Sequence, residues 1–262
     1  MDITQKKVLI LINSHWLRDL AGAWIFYTVL PGLPWIKPRF ERIARFAPLI
    51  GVLIGLIQLS VWFLLLKIGW SKESIALISI GIGIWITGGL HLDGLMDTSD
   101  GIAAGEEKCT YAMQDSRVGA SGVISLTLIL LFQLAALLKL DSIAPLALPV
   151  AMFWGRFSTL WAIEKFPYLH KKTTESLHHR HWKKWHEIKP SIIGILILYS
   201  FFNFQLINPI ILFTGISIGI FPALIIPTLL GRKLGGHSGD TYGATVVLVE
   251  TFILLFLAMM WQ

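Results

Sequence analysis

The stretch that decides the fold is residues 75–101, which read IALISIGIGIWITGGL followed by HLDGLMDTSDG. Residues 75–92 carry no formal charge, and an apolar run of about 18 residues or more indicates a transmembrane helix. Asp93, Asp97 and Asp100 follow at once. The sequence therefore predicts a membrane helix whose end leads directly into a cluster of carboxylates.

The rest of the chain repeats the apolar pattern. Of its 262 residues, 55% are hydrophobic and 15% are charged, and the mean hydropathy of +0.68 is typical of a membrane protein. Asn208 and Pro209 divide the longest uncharged run into two crossings, because both residues favour a turn. We predict an all-α, polytopic bundle of about seven transmembrane helices in a single domain, residues 1–262. Besides 75–92, the apolar runs are 46–66, 118–138, 142–163 interrupted by Arg156, 191–231, and 241–262 interrupted by Glu250.

An eighth apolar segment, residues 20–36, is interrupted by Pro31 and Pro34 and adjoins Arg18 and Asp19. We expect it to be interfacial or re-entrant. Cys109 is the single cysteine, which excludes an intrachain disulfide and a thiolate zinc site.

The net charge of +6 is unevenly distributed over a seven-span topology. Lys67, Lys72 and Lys139 fall on one side, and the other side is predicted to be cytoplasmic by the positive-inside rule. The acidic cluster then lies at the cytoplasmic face. We expect contact with the lipid membrane and no nucleic-acid binding, because the cations are dispersed among the spans. The cytoplasmic cations are Lys6, Lys7, Arg18, Lys37, Arg39, Arg42, Arg45, Lys108, Arg117, Lys165, Lys171, Lys172, Arg180, Lys183, Lys184, Lys189, Arg232 and Lys233.

The three aspartates share one face if their stretch is helical. Steps of about 100° per residue place Asp97 and Asp100 within about 40° of Asp93 around the helix axis. Their mutual repulsion favours a bound divalent cation, and carboxylate oxygens suit Mg²⁺. We predict a magnesium site at these residues and phosphate chemistry. The competing interpretation is a set of solvated loop charges that cap the following segment.

Two further patches combine glycine with aspartate: residues 115–122 and 235–244. In all three patches we expect the glycines to allow a close approach of backbone to ligand. Glycines in plain apolar surroundings are interpreted instead as helix-packing residues. Asp115 and Asp240 fit either a ligand-binding role or an N-cap. The packing glycines are Gly51, Gly55, Gly81 and Gly83.

Two arginines are candidates for phosphate contact. Arg117 follows Asp115 closely, and Arg156 lies within an apolar span, where a guanidinium requires an acid or an anion. A phosphate accepts the guanidinium fork bidentately. An intramembrane salt bridge from Arg156 to an aspartate or to Glu250 is the alternative.

The polar segment 164–190 contains several histidines that could suggest a metal site. Their spacing does not favour one, since adjacent positions of a helix point apart. Together with the tryptophans and cations around them, they indicate a segment that lies along lipid headgroups. These histidines are His178, His179, His181 and His186.

At these motifs the chain resembles the cobalamin synthases, the adenosylcobinamide-GDP ribazoletransferases, over nearly its whole length. The block 88–101, Gly-Gly-Leu-His-Leu-Asp-Gly-Leu-Met-Asp-Thr-Ser-Asp-Gly, carries most of the resemblance. The supporting pieces follow in the family's order: Arg45-Phe-Ala-Pro-Leu-Ile-Gly51, Asp115-Ser-Arg-Val-Gly-Ala120, Gly155-Arg156 and Gly235 through Gly-Asp-Thr-Tyr-Gly-Ala244.

The resemblance implies a Mg²⁺-dependent transferase in the prokaryotic cell (inner) membrane. It would join adenosylcobinamide-GDP to α-ribazole or α-ribazole 5′-phosphate, releasing GMP and adenosylcobalamin or its 5′-phosphate. Metal ligands would be Asp93, Asp97 and Asp100, with Asp240 as a further catalytic residue. Expected partners are a second copy of the chain or other B12-assembly enzymes. Substrate-binding residues would be Arg45, His91, Asp115, Arg117, Arg156 and Gly236.

Two alternatives remain at this point. A membrane alcohol phosphotransferase or prenyltransferase also uses Mg²⁺ and aspartates, but the motifs Asp-x-x-Asp-Gly-x-x-Ala-Arg and Asn-Asp-x-x-Asp do not occur here. A cation or metabolite transporter would place its acids near mid-membrane and show internal pseudo-symmetry. The acidic cluster instead follows the end of a span.

Overall fold

The computed structural model describes residues 14–169, 177–204 and 209–260. In these ranges the protein is all-α, as predicted, and the isolated extended pairing found there joins Tyr168 to His237. The predicted division of the run 191–231 near Asn208 and Pro209 falls on residues 205–208, which lie outside the described residues. The α-helices are α1 His15–Tyr27, α2 Ala47–Lys67, α3 Lys72–Thr87, α4 Leu90–Ala103, α5 Cys109–Met113, α6 Ala120–Leu140, α7 Ala144–Lys165, α8 Leu177–Arg180, α9 Lys189–Phe204, α10 Pro209–Leu234 and α11 Gly239–Met260.

Long apolar helices make this a multi-pass membrane protein. Among the described residues, four stretches are long and apolar enough to cross a bilayer: Ala44–Lys67, Ala120–Lys165, Ser217–Leu234 and Gly239–Met260. The α3–α4 pair adds a fifth if it is one broken span, and Ala120–Lys165 contains both α6 and α7. Seven crossings stay a prediction. Helix α1, with 13 residues, is not among the candidates.

Helix α7 lies at the centre of the bundle and packs along α2 with backbone contact. A Cβ atom at Gly51 would lie 2.2 Å from the Met152 carbonyl oxygen, and one at Gly55 would lie 2.3 Å from the Pro149 Cα. Only glycine permits this approach, which confirms the packing role of both residues. Gly81 is different, because a Cβ there would meet nothing within 4 Å among the described residues, so its predicted packing role is wrong.

The two ends of the bundle are distinguished by their polar contacts. At one end, Lys72 at the start of α3 pairs with Asp141, which follows α6, over 2.5 Å. At the other end, the Asp100 carboxylate binds the first turn of α6. Helix α6 therefore runs from the acidic end to the opposite end. The predicted cations Lys6, Lys7, Lys171 and Lys172 lie outside the described residues.

Two consecutive glycines separate the apolar span from the acidic helix. Gly88 has a φ of 60° and Gly89 a φ of 74°, both in the left-handed region that side chains with a Cβ disfavour. Helix α3 ends there, and α4 departs at 89° to it. The sequence predicted an uninterrupted run through Leu92, which is wrong because this turn redirects the chain. The turn carries the acidic stretch across the bundle toward α11.

Candidate active site

Helix α4 crosses the start of α11 at two glycines. A Cβ at Gly94 would lie 2.5 Å from the carbonyl oxygen of Asp240, and one at Gly243 would lie 3.1 Å from that of His91. The two backbones can touch only because both positions lack a side chain. The crossing brings Asp240 beside Asp93, although they are far apart in sequence. The sequence predicted a close approach of ligand at these glycines, and the structure shows helix packing instead.

Asp93 and Asp240 line one cavity of about 160 Å³ at this crossing. Asp97 lies half-buried nearby, and the charges of Asp93, Asp240 and Asp100 all act on it. Among the described residues, the charges that act on the Asp97 carboxyl are therefore all negative. The aspartates do lie on one helix, α4, as predicted. The crossing of α4 and α11 therefore brings several acidic side chains close together.

Asp100 makes different contacts from the other two aspartates of α4. One of its carboxylate oxygens accepts the Gly119 N–H at 2.7 Å, and the other accepts the Gly122 N–H at 2.8 Å. It thereby satisfies backbone donors at the start of α6. A Cβ at either glycine would collide with this carboxylate, at 2.4 and 2.6 Å. The capping role that the sequence left as the alternative is realised for Asp100.

A metal cage made by the chain alone is not found among the described residues, where no three His, Cys, Asp or Glu side chains converge to hold an ion. Mg²⁺ nevertheless commonly binds one or two carboxylates together with substrate phosphates and water. Asp93 and Asp240, lining one cavity, and the repelled Asp97 fit that pattern. The assignment of Asp93, Asp97 and Asp100 as magnesium ligands stays a prediction.

Asp115 and Arg117 bind each other on the surface between α5 and α6. The Arg117 guanidinium donates to both Asp115 carboxylate oxygens, with the shortest distance 2.6 Å, and the Arg117 backbone N–H donates at 3.0 Å. These hydrogen bonds lower the pKa of Asp115 to about 2. The Arg117 side chain is 88% exposed. Neither residue lines the cavity of Asp93 and Asp240, and their substrate-binding role stays a prediction.

Arg156 is fully buried on α7 and pairs with Glu250 on α11, with 2.5 Å between Nη1 and Oε1. The same nitrogen donates to the Met152 carbonyl at 3.2 Å. This is the intramembrane salt bridge that the sequence left as the alternative to phosphate binding. His91 lines both the small cavity beside this pair and the acidic cavity, so it lies between them.

Arg45 and Gly236 lie away from the acidic cavity. Arg45 donates to Asp19 at 2.7 Å and lines a separate, basic cavity. Gly236 has a φ of 158°, and a Cβ there would lie 2.5 Å from the Pro167 carbonyl oxygen. This closeness lets the His237 N–H donate to Pro167 at 3.0 Å. The structure thus shows a packing reason for Gly236, and its substrate contact stays a prediction.

His178 lines the acidic cavity, contrary to the expectation that it lies along headgroups. Burial lowers its pKa to about 4, with the His179 charge as a lesser cause. His179 and the Tyr242 hydroxyl are 2.9 Å apart, which joins α8 to α11. Sequence reasoning missed this placement because it depends on a contact between distant segments. No spacing signal in the polar segment could have revealed it.

His237, which received no role from the sequence, supports the start of α11. It is completely buried; its Nε2 lies 2.9 Å from the Pro227 carbonyl and its Nδ1 3.0 Å from the Thr241 hydroxyl. Its ring stacks on Tyr242 at 5.5 Å. Burial lowers its pKa to about 4. The ring is therefore held neutral and fixes the turn that precedes Asp240.

Comparison with known proteins gives the family. The model of the cobalamin-5-phosphate synthase family matches residues 19–258. The chain belongs to this family. It is 53% identical over 251 residues to an adenosylcobinamide-GDP ribazoletransferase of Prochlorococcus marinus strain MIT 9303, covering 94% of this chain and 96% of that protein. No solved structure matches.

Two further relatives show the same relationship. The adenosylcobinamide-GDP ribazoletransferase of a further strain of Prochlorococcus marinus, strain SARG, is 55% identical over 250 residues, covering 93% of this chain and 96% of that protein. The adenosylcobinamide-GDP ribazoletransferase of Trichormus variabilis is 35% identical over 251 residues, covering 93% of this chain and 98% of that protein. The resemblance described from the motifs is thereby confirmed, and it extends over nearly the full chain.

Proposed function

We propose that the chain is an adenosylcobinamide-GDP ribazoletransferase whose reaction takes place at the crossing of α4 and α11. It joins adenosylcobinamide-GDP to α-ribazole or its 5′-phosphate, and it releases GMP. The observation that carries this assignment of the site is the shared cavity of Asp93 and Asp240, with Asp97 repelled by its acidic neighbours. Family membership supports the reaction, and the cavity supports the location.

The reaction forms one P–O bond and breaks another. A ribose hydroxyl oxygen of the ribazole attacks the phosphorus next to cobinamide, and the bond from that phosphorus to GMP breaks. In the phosphorylated substrate the 5′ oxygen is already esterified and stays so in the product, so the attacking oxygen is a different ribose hydroxyl. The hydroxyl loses its proton, and we assign Asp240 as the acceptor because it lines the cavity from the first turn of α11.

Magnesium suits this site because the donors are hard carboxylate oxygens and their mutual repulsion needs a counter-charge. Asp93 and Asp97 would hold it, with Asp100 close enough to contribute its charge. When bound, the ion would neutralise diphosphate charge. The chain's own part is to orient the diphosphate between α4 and α11 and to keep water out with the buried walls formed by Tyr242 and His91.

The cellular membrane and the face on which the active site lies are inferred from the distribution of charge. The dominance of Lys and Arg on the acidic side supports a cytoplasmic active face in a prokaryotic cell (inner) membrane. Substrates with phosphate and nucleotide groups would then reach the cavity from the cytoplasm. The opposite end, where Lys72 pairs with Asp141, would face outward.

The test is Mg²⁺-dependent GMP release by the reconstituted chain. Asp93→Asn and Asp240→Asn are expected to lower the rate about a hundredfold or more, as the loss of a preorganised charge does. Asp141→Asn makes the same chemical change at the opposite end and is expected to retain the wild-type rate within about twofold. Equal rates in all three inserted variants would overturn the assigned site.

A further inference from the structure

A second cavity, separate from the acidic one, is lined mainly by cations. Its volume is about 580 Å³, and it lies between α1, the segment before α2, and the chain that follows α8. Two acids, Asp19 and Glu41, also line it. Its lining cations are Arg39, Arg42, Arg45, Arg180 and Lys183.

The acids do not balance this charge. Asp19 pairs with Arg39 and Arg45, and Glu41 pairs with Arg39 again. Arg42 pairs with the buried Glu187. Arg180 and Lys183 are exposed and form no ion pair within the part of the chain that the structure describes.

Arg45 supplies a second, independent sign of a missing ligand. Its residue is 9% exposed, and its Nε has no hydrogen-bond partner among the described residues. A buried guanidinium nitrogen without an acceptor is costly, so a shift of the Arg45 side chain toward an anion in the cavity would relieve that cost. Phosphate matches several guanidinium groups because its oxygens accept paired N–H donors.

The basic and acidic cavities are neighbours. His178 lines the acidic cavity, and Arg180, two residues later, lines the basic one. Their Cα atoms are thus at most about 8 Å apart, since consecutive Cα atoms are separated by about 3.8 Å. Helix α1 contacts both cavities as well, through Asp19 at one and Tyr27 at the other. A ligand of nucleotide size could therefore engage both.

We propose that the basic cavity binds the non-reacting phosphomonoester of the second substrate, while the acidic cavity holds the reacting diphosphate. This inference rests on the proposed function, and the family's description as a cobalamin-5-phosphate synthase gives a product with such a phosphate. Binding energy from a group remote from the reacting atoms would orient the attacking hydroxyl. The same chemistry could be satisfied by a phosphate headgroup of an anionic lipid, so the test separates the two sources.

The test measures binding without turnover. Ribose 5-phosphate is titrated calorimetrically into the full chain in nanodiscs of neutral phosphatidylcholine. The double variant Arg180→Gln/Lys183→Gln is expected to weaken binding about tenfold, as the loss of charge-assisted hydrogen bonds does. Arg232→Gln/Lys233→Gln removes the same charge from exposed residues at the end of α10 and is expected to bind as the wild type does.

The outcomes decide the proposal separately from the proposed function. Equal affinity of both double variants, or no binding by the wild type, overturns the phosphomonoester site even if GMP release is normal. The proposal is also overturned if Arg180→Gln/Lys183→Gln binds ribose 5-phosphate as the wild type does but associates with less phosphatidylglycerol in mixed-lipid nanodiscs. That result would assign the cavity to a lipid headgroup. In turnover assays, the site predicts a raised KM for α-ribazole 5′-phosphate and an unchanged KM for α-ribazole in Arg180→Gln/Lys183→Gln.

Discussion

Helix α11 carries two acidic residues with opposite environments. Glu250 lies deep in the bundle and is matched by Arg156 at 2.5 Å. Asp240 lies in the first turn of the helix and lines the same cavity as Asp93. Among the described residues, the charges that act on nearby Asp97 are all negative. Glu250 has a cation beside it, whereas the charges that act on Asp97 come from other acids, so a divalent cation would relieve the repulsion at Asp97. We interpret the first pair as structural and propose the second group as the place for a ligand.

The largest expected effect comes from breaking the matched pair. Glu250→Gln leaves the Arg156 guanidinium buried without its counter-charge, which costs about 3–5 kcal/mol of unfolding free energy. Unfolding in sodium dodecyl sulfate, followed by circular dichroism, measures it. Glu107→Gln makes the same change on an exposed residue and should cost under about 0.5 kcal/mol. Similar stabilities of the two variants would show that Arg156 does not depend on Glu250.

The acidic group depends on helix packing, and Gly94→Ala tests that dependence. Its Cβ would lie 2.5 Å from the Asp240 carbonyl oxygen, so α4 and α11 must separate. We expect a loss of about 1–3 kcal/mol and a fall in GMP release of about a hundredfold, because displaced groups no longer meet the substrate.

Gly81→Ala is the matched control on α3. A Cβ there meets nothing within 4 Å among the described residues, and alanine favours the helix by up to about 1 kcal/mol. Its activity should remain unchanged and its stability should not fall. Equal activity losses in the two alanine variants would contradict the close crossing of α4 and α11.

Below neutral pH, protonation of His237 in the unfolded chain lowers the stability of the folded protein. Its pKa is about 4 in the folded chain and 6.5 without the fold, so the unfolded chain binds more protons between these values. Stability therefore falls as the pH drops through this window, by about 2 kcal/mol at about pH 5 relative to about pH 8. His237→Gln should remove this contribution and leave that of His178, whereas His186→Gln, at an exposed position, should leave both. Parallel pH curves for both variants would contradict the assignment.

The smallest effect concerns the repulsion itself. Asp97→Asn removes one of the mutually repelling charges, so it should raise the stability of the metal-free chain by about 1 kcal/mol while it lowers activity. Unfolding in the presence of a chelator measures the gain. A loss of stability in this variant would mean that Asp97 is already balanced, as Glu250 is.

The bundle could be predicted because uncharged runs are local features, and helices cover most of these runs within the described residues. It also predicted the shared face of the α4 aspartates from helix periodicity. It did not predict the Gly88-Gly89 turn, since either glycine could equally have continued the apolar helix. Gly94 and Gly119 show the same limit, because their partners Asp240 and Asp100 are separated from them in sequence.

Only part of the candidate site could be predicted from the sequence, because its residues come from distant segments. Asp93 and Asp240 were identified by residue type and motif, and the structure brings them to one cavity. His178 was assigned to the interface because its neighbours in sequence are basic and aromatic, yet its neighbours in space include Tyr242. Motif spacing reports on one element at a time, whereas the cavity is built from α1, α4, α7, α8 and α11.

The repulsion among the acids of α4 and α11 is tested most directly by the binding of a divalent cation. Mn²⁺ bound to the reconstituted chain can be counted by electron paramagnetic resonance in the presence of adenosylcobinamide-GDP. We expect specific binding by the wild type, at least about tenfold weaker binding by Asp93→Asn and Asp97→Asn, and unchanged binding by Asp141→Asn. Equal Mn²⁺ affinity in all four proteins would contradict it.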